Sequence, residues 1–242
     1  MKGNKVLRLA GEQLRAANEL VGRMRPSLQA PDRLRCALFL TMVEQFEASL
    51  ILAQNGLVSH GAIHVRSMLE ALADYRLLET QPRHVDQMRF DQLHGERRLY
   101  KRILDLPQVP QAERAMIEGR LAETTSRYQP LYDQKIRASV IAEKFASAGL
   151  DHMLGPYTML CSFAHNDLAA LAQRHQGGAG MTLRAGDSEE VQYLVLSTAS
   201  FALLTAASAL NGPALFPDGH FTTNMDVLNK SYETMTSFAP KQ

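Results

Sequence analysis

A few polar side chains stand where helical periodicity calls for apolar ones, and their types suit proton and phosphate chemistry. Tyr157, Cys161 and His165 recur every four residues, so on a helix they line one face, with Ser162 and Asn166 beside it. Imidazole is the side chain that exchanges protons near neutral pH, and a phenol, a hydroxyl and an amide next to it can hold a phosphodiester or a small polar ligand. A second set lies upstream. Val58, Ala62, Val65, Leu69 and Leu72 form an apolar stripe, and Met68, Ala71, Tyr75 and Leu78 extend it around the cylinder. Arg66 and Glu70 sit four apart on its edge. An unpaired buried charge costs several kcal/mol, so the two must pair or face a cleft. Cys161 reads either as a small buried hydrophobe or as a nucleophile activated by His165.

Other constellations fall away on spacing. The Gly-rich stretch at 177–186 lacks the Lys of a phosphate-binding loop and follows a helix pattern instead of a strand. Cys-x2-Cys, His-Glu-x2-His, Gly-x-Ser-x-Gly and paired Glu-x2-His are absent. His60 and His64 share a helical face, but no acidic or third His ligand stands at helical spacing, so neither metal nor cofactor is expected. Arg89 and His94 have an Arg-x4-His spacing used by helical bacterial ribonucleases. With 19 Arg, 8 His and three permitted spacings, chance alone supplies about two such matches, so this one is uninformative.

The elements that must position these groups are helices throughout, since no run alternates with period two. Apolar positions from Val6 to Met24 predict a first helix ending before Pro26. The next run about Pro31 to Gln54, Leu57 to Glu79, Arg83 to Leu104, Gln111 to Arg127 and Gln134 to Ala148, with Gly149 as a C-cap. Gly155-Pro156 opens a seventh from Tyr157 to His175. Asp187, with Glu190 three residues on, is the expected N-cap of an eighth that Asn211-Gly212-Pro213 ends. A short helix follows from about Thr222. Short connections and the absence of repeats predict one all-α domain over residues 1–242, a bundle of about eight helices.

Composition agrees. Of 242 residues 45% are hydrophobic, and 15 Gly with 10 Pro make up about a tenth of the chain, below the roughly 12% of average usage. Disorder and collagen-like repeats are thereby excluded. The formal charge is +1, which gives no global attraction to nucleic acid or membrane. It hides a gradient, +5 over residues 1–35, zero over 36–137 and −4 over 138–242. Cys36 and Cys161 fit reduced thiols, and the start lacks a signal peptide's apolar run, so a cytoplasmic protein is expected. Val191 to Leu210 carries no formal charge, yet Gln192, Ser197, Thr198 and Ser200 interrupt it, which favours a buried central helix over a membrane span.

The order Asn55-Gly56-Leu57, then Val65-Arg66-Ser67-Met68-Leu69-Glu70-Ala71, then Ala148-Gly149-Leu150 leading to Tyr157, and then Ser162-Phe163-Ala164-His165-Asn166, resembles the bacterial domain-of-unknown-function family five-six-seven-seven over about residues 35–176. The resemblance implies an all-helical protein in which Arg66, Glu70, Tyr157, Ser162 and His165 match recurrent polar positions; it brings no reaction with it. A looser similarity to helical toxin or defence ribonucleases differs in one respect, because those place Arg and His on one helix and here they lie on two.

Three functions are open on these grounds. The first is a metal-independent RNA-cleaving toxin or defence protein, homodimeric through its small-residue helices, with a polar cleft between the third and seventh helices. There His165 acts as general acid or base, Arg66 stabilises charge on phosphorus, Glu70 orients Arg66 or His165, and Tyr157, Ser162 and Asn166 hold substrate. Basic residues in 1–35 together with Arg97, Arg98, Lys101 and Arg102 then meet the RNA backbone. The second is a non-catalytic binding or assembly module in which the same groups fix helix register. The third is a small-ligand sensor.

Overall fold

A computed structural model describes residues 2–165, 167–177, 180–183 and 187–239. It is 77% helical with 3% strand, so the chain is all-α. The helices are α1 (Lys2–Arg23), α2 (Asp32–Gln54), α3 (Val58–Thr80), α4 (His84–Leu104), α5 (Gln111–Asp133), α6 (Ile141–Ser147), α7 (Leu154–Ala164), α8 (Leu168–His175), α9 (Glu189–Ser208) and α10 (His220–Thr236). One 3-10 turn, Asp151–Met153, leads into α7, and two antiparallel two-residue bridges pair Arg25–Pro26 with Ala214–Leu215 and Gln176–Gly177 with Gly180–Met181.

The first four helices begin and end within a few residues of the expected bounds. The later helices differ from expectation in their bounds and caps, each for a local cause, and the split of α7 from α8, with the tail helix counted, brings the number to ten. α5 runs through Pro130 to Asp133, and Lys135 at φ 67° turns the chain out of the helix. Residues 137–139 are then held by α4: Gln87 donates to the Arg137 carbonyl at 2.7 Å, and Asp91 accepts the backbone N–H of Ser139 at 3.0 Å. The predicted helix from Gln134 therefore shrinks to α6. The expected single helix from Tyr157 to His175 is split into α7 and α8, because the Asp167 carboxylate accepts the backbone N–H of Ala170 and starts a new helix. Ser188, not Asp187, caps α9, since the Asp187 carboxylate instead accepts the N–H of Ser59 at the start of α3, 2.9 Å away. The tail forms a 17-residue helix, α10.

The core is built on the α2–α3 hairpin. Its turn, Asn55-Gly56, needs the left-handed φ of +72° that Gly56 adopts, and the N–H of Leu57 closes on the Leu52 carbonyl at 2.8 Å. α9 packs against α3, α2, α1 and α10. Val195, Leu196, Ala199, Ala202, Leu203 and Ala206 on α9 are all buried. Its buried alanines thus pack within the chain. By length and composition both α2 and α9 could cross a membrane; 56% of the most apolar stretch of α9 is buried inside the fold. The α4–α5 hairpin stands apart with its own small cluster of Phe90, Leu93, Tyr128 and Leu131.

One contact fixes how closely α2 and α3 approach. A Cβ on Gly61 would lie 2.9 Å from Ser49 Oγ and 3.4 Å from the Ser49 Cα. Gly61→Val is therefore expected to force the two helices apart, with a loss of about 1–3 kcal/mol from overpacking. Thermal unfolding checks this directly, and an unchanged midpoint would show that the hairpin relaxes at no cost.

Candidate functional site

α7 packs across α3. That places four of the polar residues singled out above in one cluster. The Tyr157 hydroxyl donates to Glu70 Oε1 at 2.7 Å and accepts from Arg66 Nε at 3.1 Å. The same Arg66 N–H lies 3.1 Å from Glu70 Oε1, an i,i+4 pair along α3. Arg66 Nη1 reaches His165 Nε2 at 3.5 Å. A guanidinium can only donate, so this contact is a hydrogen bond only in the tautomer whose Nε2 accepts. The guanidinium also lies 5.6 Å from the Tyr157 ring centre, and Phe145 meets that ring edge-on at 5.1 Å from behind.

This is a half-open cluster. The Arg66 and Glu70 side chains are 29% and 38% exposed, Tyr157 is buried, and His165 is exposed. Burial, followed by the hydrogen bond to Glu70, pushes the Tyr157 phenol well above its usual range, so it stays a donor. The bond to Tyr157 raises Arg66 further above its already high value, and the pair with Glu70 adds to this. Arg66 is therefore a fixed cation held by two side chains at Nε, with its terminal nitrogens turned toward His165 and solvent.

The remaining sequence-predicted residues fall elsewhere. Ser162 is half-buried and faces Asp167. Its hydroxyl bond, together with the Ala170 and Ala169 N–H groups, holds the Asp167 carboxyl below the usual range. Asn166 lies outside the described residues. Cys161 is half-buried next to Arg66, its thiol reduced. His165 is the C-cap of α7, its N–H bonded to the Cys161 carbonyl at 2.9 Å, and not a mid-helix residue as a continuous helix would have made it. Arg89 turns to Asp86 at 3.4 Å, and His94 stacks on Phe90 and Tyr128, so the Arg-x4-His pair does not converge. Of the basic residues on α4, Arg97 is committed to the Tyr128 ring at 4.0 Å and to Thr125, while Arg98, Lys101 and Arg102 are exposed. His64 binds Gln45, and among the described residues no three His, Cys, Asp or Glu side chains gather as a metal site would require.

Two further charged groups, one buried and one half-buried, gave little sequence signal. Arg174 on α8 is 9% exposed; it donates to the Ser59 hydroxyl at 3.0 Å, the Ser59 carbonyl at 2.9 Å and the Phe163 carbonyl at 3.1 Å. It ties α8 to α3 and to the end of α7, beside His165. Asp74, one turn beyond Glu70 on α3, accepts from His84 Nε2 at 2.8 Å and from Lys144 Nζ at 2.6 Å. Arg66, Glu70 and Asp74 follow one another at i, i+4 and i+8, which is the only hint the sequence holds.

Among known proteins, a family model described as a family of unknown function (DUF5677) matches residues 32–180. The match spans α2 to α8 and contains every residue of the cluster, while α1, α9 and α10 lie outside it. No curated protein and no solved structure matches.

Proposed function

The chain belongs to the DUF5677 family of unknown function, and from that premise we propose that it is a metal-independent, RNA-cleaving cytoplasmic protein of the toxin or defence type. The observation that carries the reading is the convergence of Arg66 and His165 from two helices, at 3.5 Å, on an open surface. An exposed imidazole with an accepting Nε2 is a ready general base. It takes the proton of a ribose 2′-hydroxyl. The 2′-oxygen then attacks phosphorus, the bond to the 5′-oxygen breaks, and that oxygen takes a proton from water; the hydroxide so formed takes the proton back from His165, giving a 2′,3′-cyclic phosphate, a 5′-hydroxyl and the neutral imidazole.

Arg66 answers the charge that builds on the phosphorane oxygens. Its contact with His165 is at the outer limit of a hydrogen bond, so a phosphate can displace it cheaply. Glu70 and Tyr157 are positioning residues. They hold the Nε side of Arg66 and make no contact with His165. Ser162, turned to Asp167, takes no part.

Arg66→Ala is expected to lower the cleavage rate about 10²–10³-fold, as removal of a charge-stabilising donor does elsewhere. Arg66→Lys recovers part of the rate because the charge returns without the fork. The measurement is the initial rate on total RNA in the presence of chelator. Undiminished cleavage by Arg66→Ala, or none by the wild type, sinks the proposal. The latter would favour a binding module, a reading supported by the three mutual bonds of Arg66, Glu70 and Tyr157, which tie α3 to α7. In that case Arg66→Ala lowers stability and changes no chemistry.

A further inference from the structure

Asp74 lies behind a groove of about 530 Å³ bounded by the start of α4, by α6 and by residues 134–140. His84 and Lys144 line it, and both are held in place from behind by the same oxygen of the half-buried Asp74. An ammonium has three N–H groups, so Lys144 keeps two for the groove after bonding Asp74. The outer rim carries Arg83, Lys135 and Arg137; none of the three forms an ion pair among the described residues, though Arg137 lies over the Tyr132 ring at 5.0 Å and donates one terminal N–H to the Ile136 carbonyl. Of the carboxylates near them, Asp86 is met by Arg89 at 3.4 Å and Asp74 by Lys144 at 2.6 Å, so Glu143 and Asp91, the latter hydrogen-bonded to Gln87 and Ser139, face the three rim cations. Leu77, Ile136 and Val140 supply an apolar wall.

The far wall is built to last. Gln87 and Asp91 on α4 hold residues 137–139 by four hydrogen bonds, so the backbone that carries Arg137 is fixed against α4. The groove's volume lies within the range of pockets that enclose whole small molecules.

We infer that this groove is a binding site for a nucleotide-sized phosphate ester, its phosphates met by Lys144 and the rim cations Arg83, Lys135 and Arg137, and its apolar body laid against Leu77, Ile136 and Val140. Asp74 positions Lys144 and His84 and makes no contact with the ligand. The site is separate from His165 and holds whether or not the RNA reading does. The same chemistry is offered by a free nucleotide and by the end of a nucleic-acid strand, and the probes below tell them apart.

Titration calorimetry on the full chain would use pyrophosphate, adenosine monophosphate and an all-2′-O-methyl hexanucleotide, which a 2′-hydroxyl mechanism cannot cleave. At least one probe should bind, more weakly at high salt. Arg83→Ala/Lys135→Ala should weaken it tenfold or more without moving the unfolding midpoint, since both side chains are exposed; His165→Ala should leave it unchanged. Binding by the mononucleotide marks a free ligand, and binding by the hexanucleotide alone marks a strand. If the double variant does not fold, the single variant Lys135→Ala should still weaken binding several-fold. No binding by any probe, binding indifferent to the rim substitutions, or binding lost in His165→Ala would overturn the assignment.

Discussion

His165→Ala is expected to lose about 10²–10⁴-fold in RNA cleavage, the usual contribution of a positioned general base, while its unfolding midpoint stays within a degree or two of the wild type. The two halves of that expectation come from different facts. The side chain is exposed at the end of α7, and what roots it is its backbone N–H on the Cys161 carbonyl, which alanine keeps. Its only side-chain partner in the cluster is the long contact to Arg66. Truncation thus removes a proton acceptor and almost no packing. The readout is the initial rate on a labelled single-stranded RNA, with the products tested for a 2′,3′-cyclic end. Added imidazole should restore part of the rate to the alanine variant, because it replaces the missing base and nothing else. Equal rates for wild type and variant would remove His165 from the mechanism, and a fall in rate accompanied by a lowered midpoint would assign it a structural part instead.

How far the sequence carried can be judged on single elements. α3 is legible to within a residue because its apolar positions run unbroken from Val58 to Leu78 between two stop signals, so Arg66 and Glu70 could be placed on its edge. The meeting of Arg66 with Tyr157 and His165 followed from the same logic applied to α7. The split between α7 and α8 was not legible, since Leu168 to His175 continues a helical pattern and only the cap bond from Asp167 to Ala170 shows the restart. Within α8 the usual rule runs backwards. Leu168 and Leu171 are exposed, 84% and 41%, while Ala170 and Arg174 face inward. A pattern that buries leucine predicts the opposite phase, and it hides Arg174, because nothing local announces that Ser59 and Phe163 supply oxygens for it. The groove was hidden for a related reason: Asp74, His84 and Lys144 come from three helices, and their common point exists only after α6 folds back onto α3.

Arg174 gives the largest expected effect on stability. Arg174→Met keeps most of the methylene volume but removes every donor, leaving the Phe163 carbonyl and the Ser59 hydroxyl without the bonds they now receive. The Phe163 carbonyl is among the last four of α7, which have no intrahelical partner, so the loss falls on a group that depends on this side chain. Each buried acceptor stripped of a charged donor costs about 1–3 kcal/mol, and together they predict a loss of about 3–5 kcal/mol. For a chain of this size that lowers the unfolding midpoint by roughly 6–20 °C. Arg174→Lys should fall between the two, as one ammonium cannot reach both helices through separate nitrogens. The site responds too. With α8 no longer tied to α3 and α7, the end of α7 that carries His165 loses its anchor, so cleavage by Arg174→Met should fall even at temperatures where the protein is fully folded, and hydrogen exchange should quicken first in α8. A midpoint unmoved by Arg174→Met would mean that water satisfies these oxygens as well as the guanidinium does. The position of His165 would then have to be set by Asp167 and α7 alone.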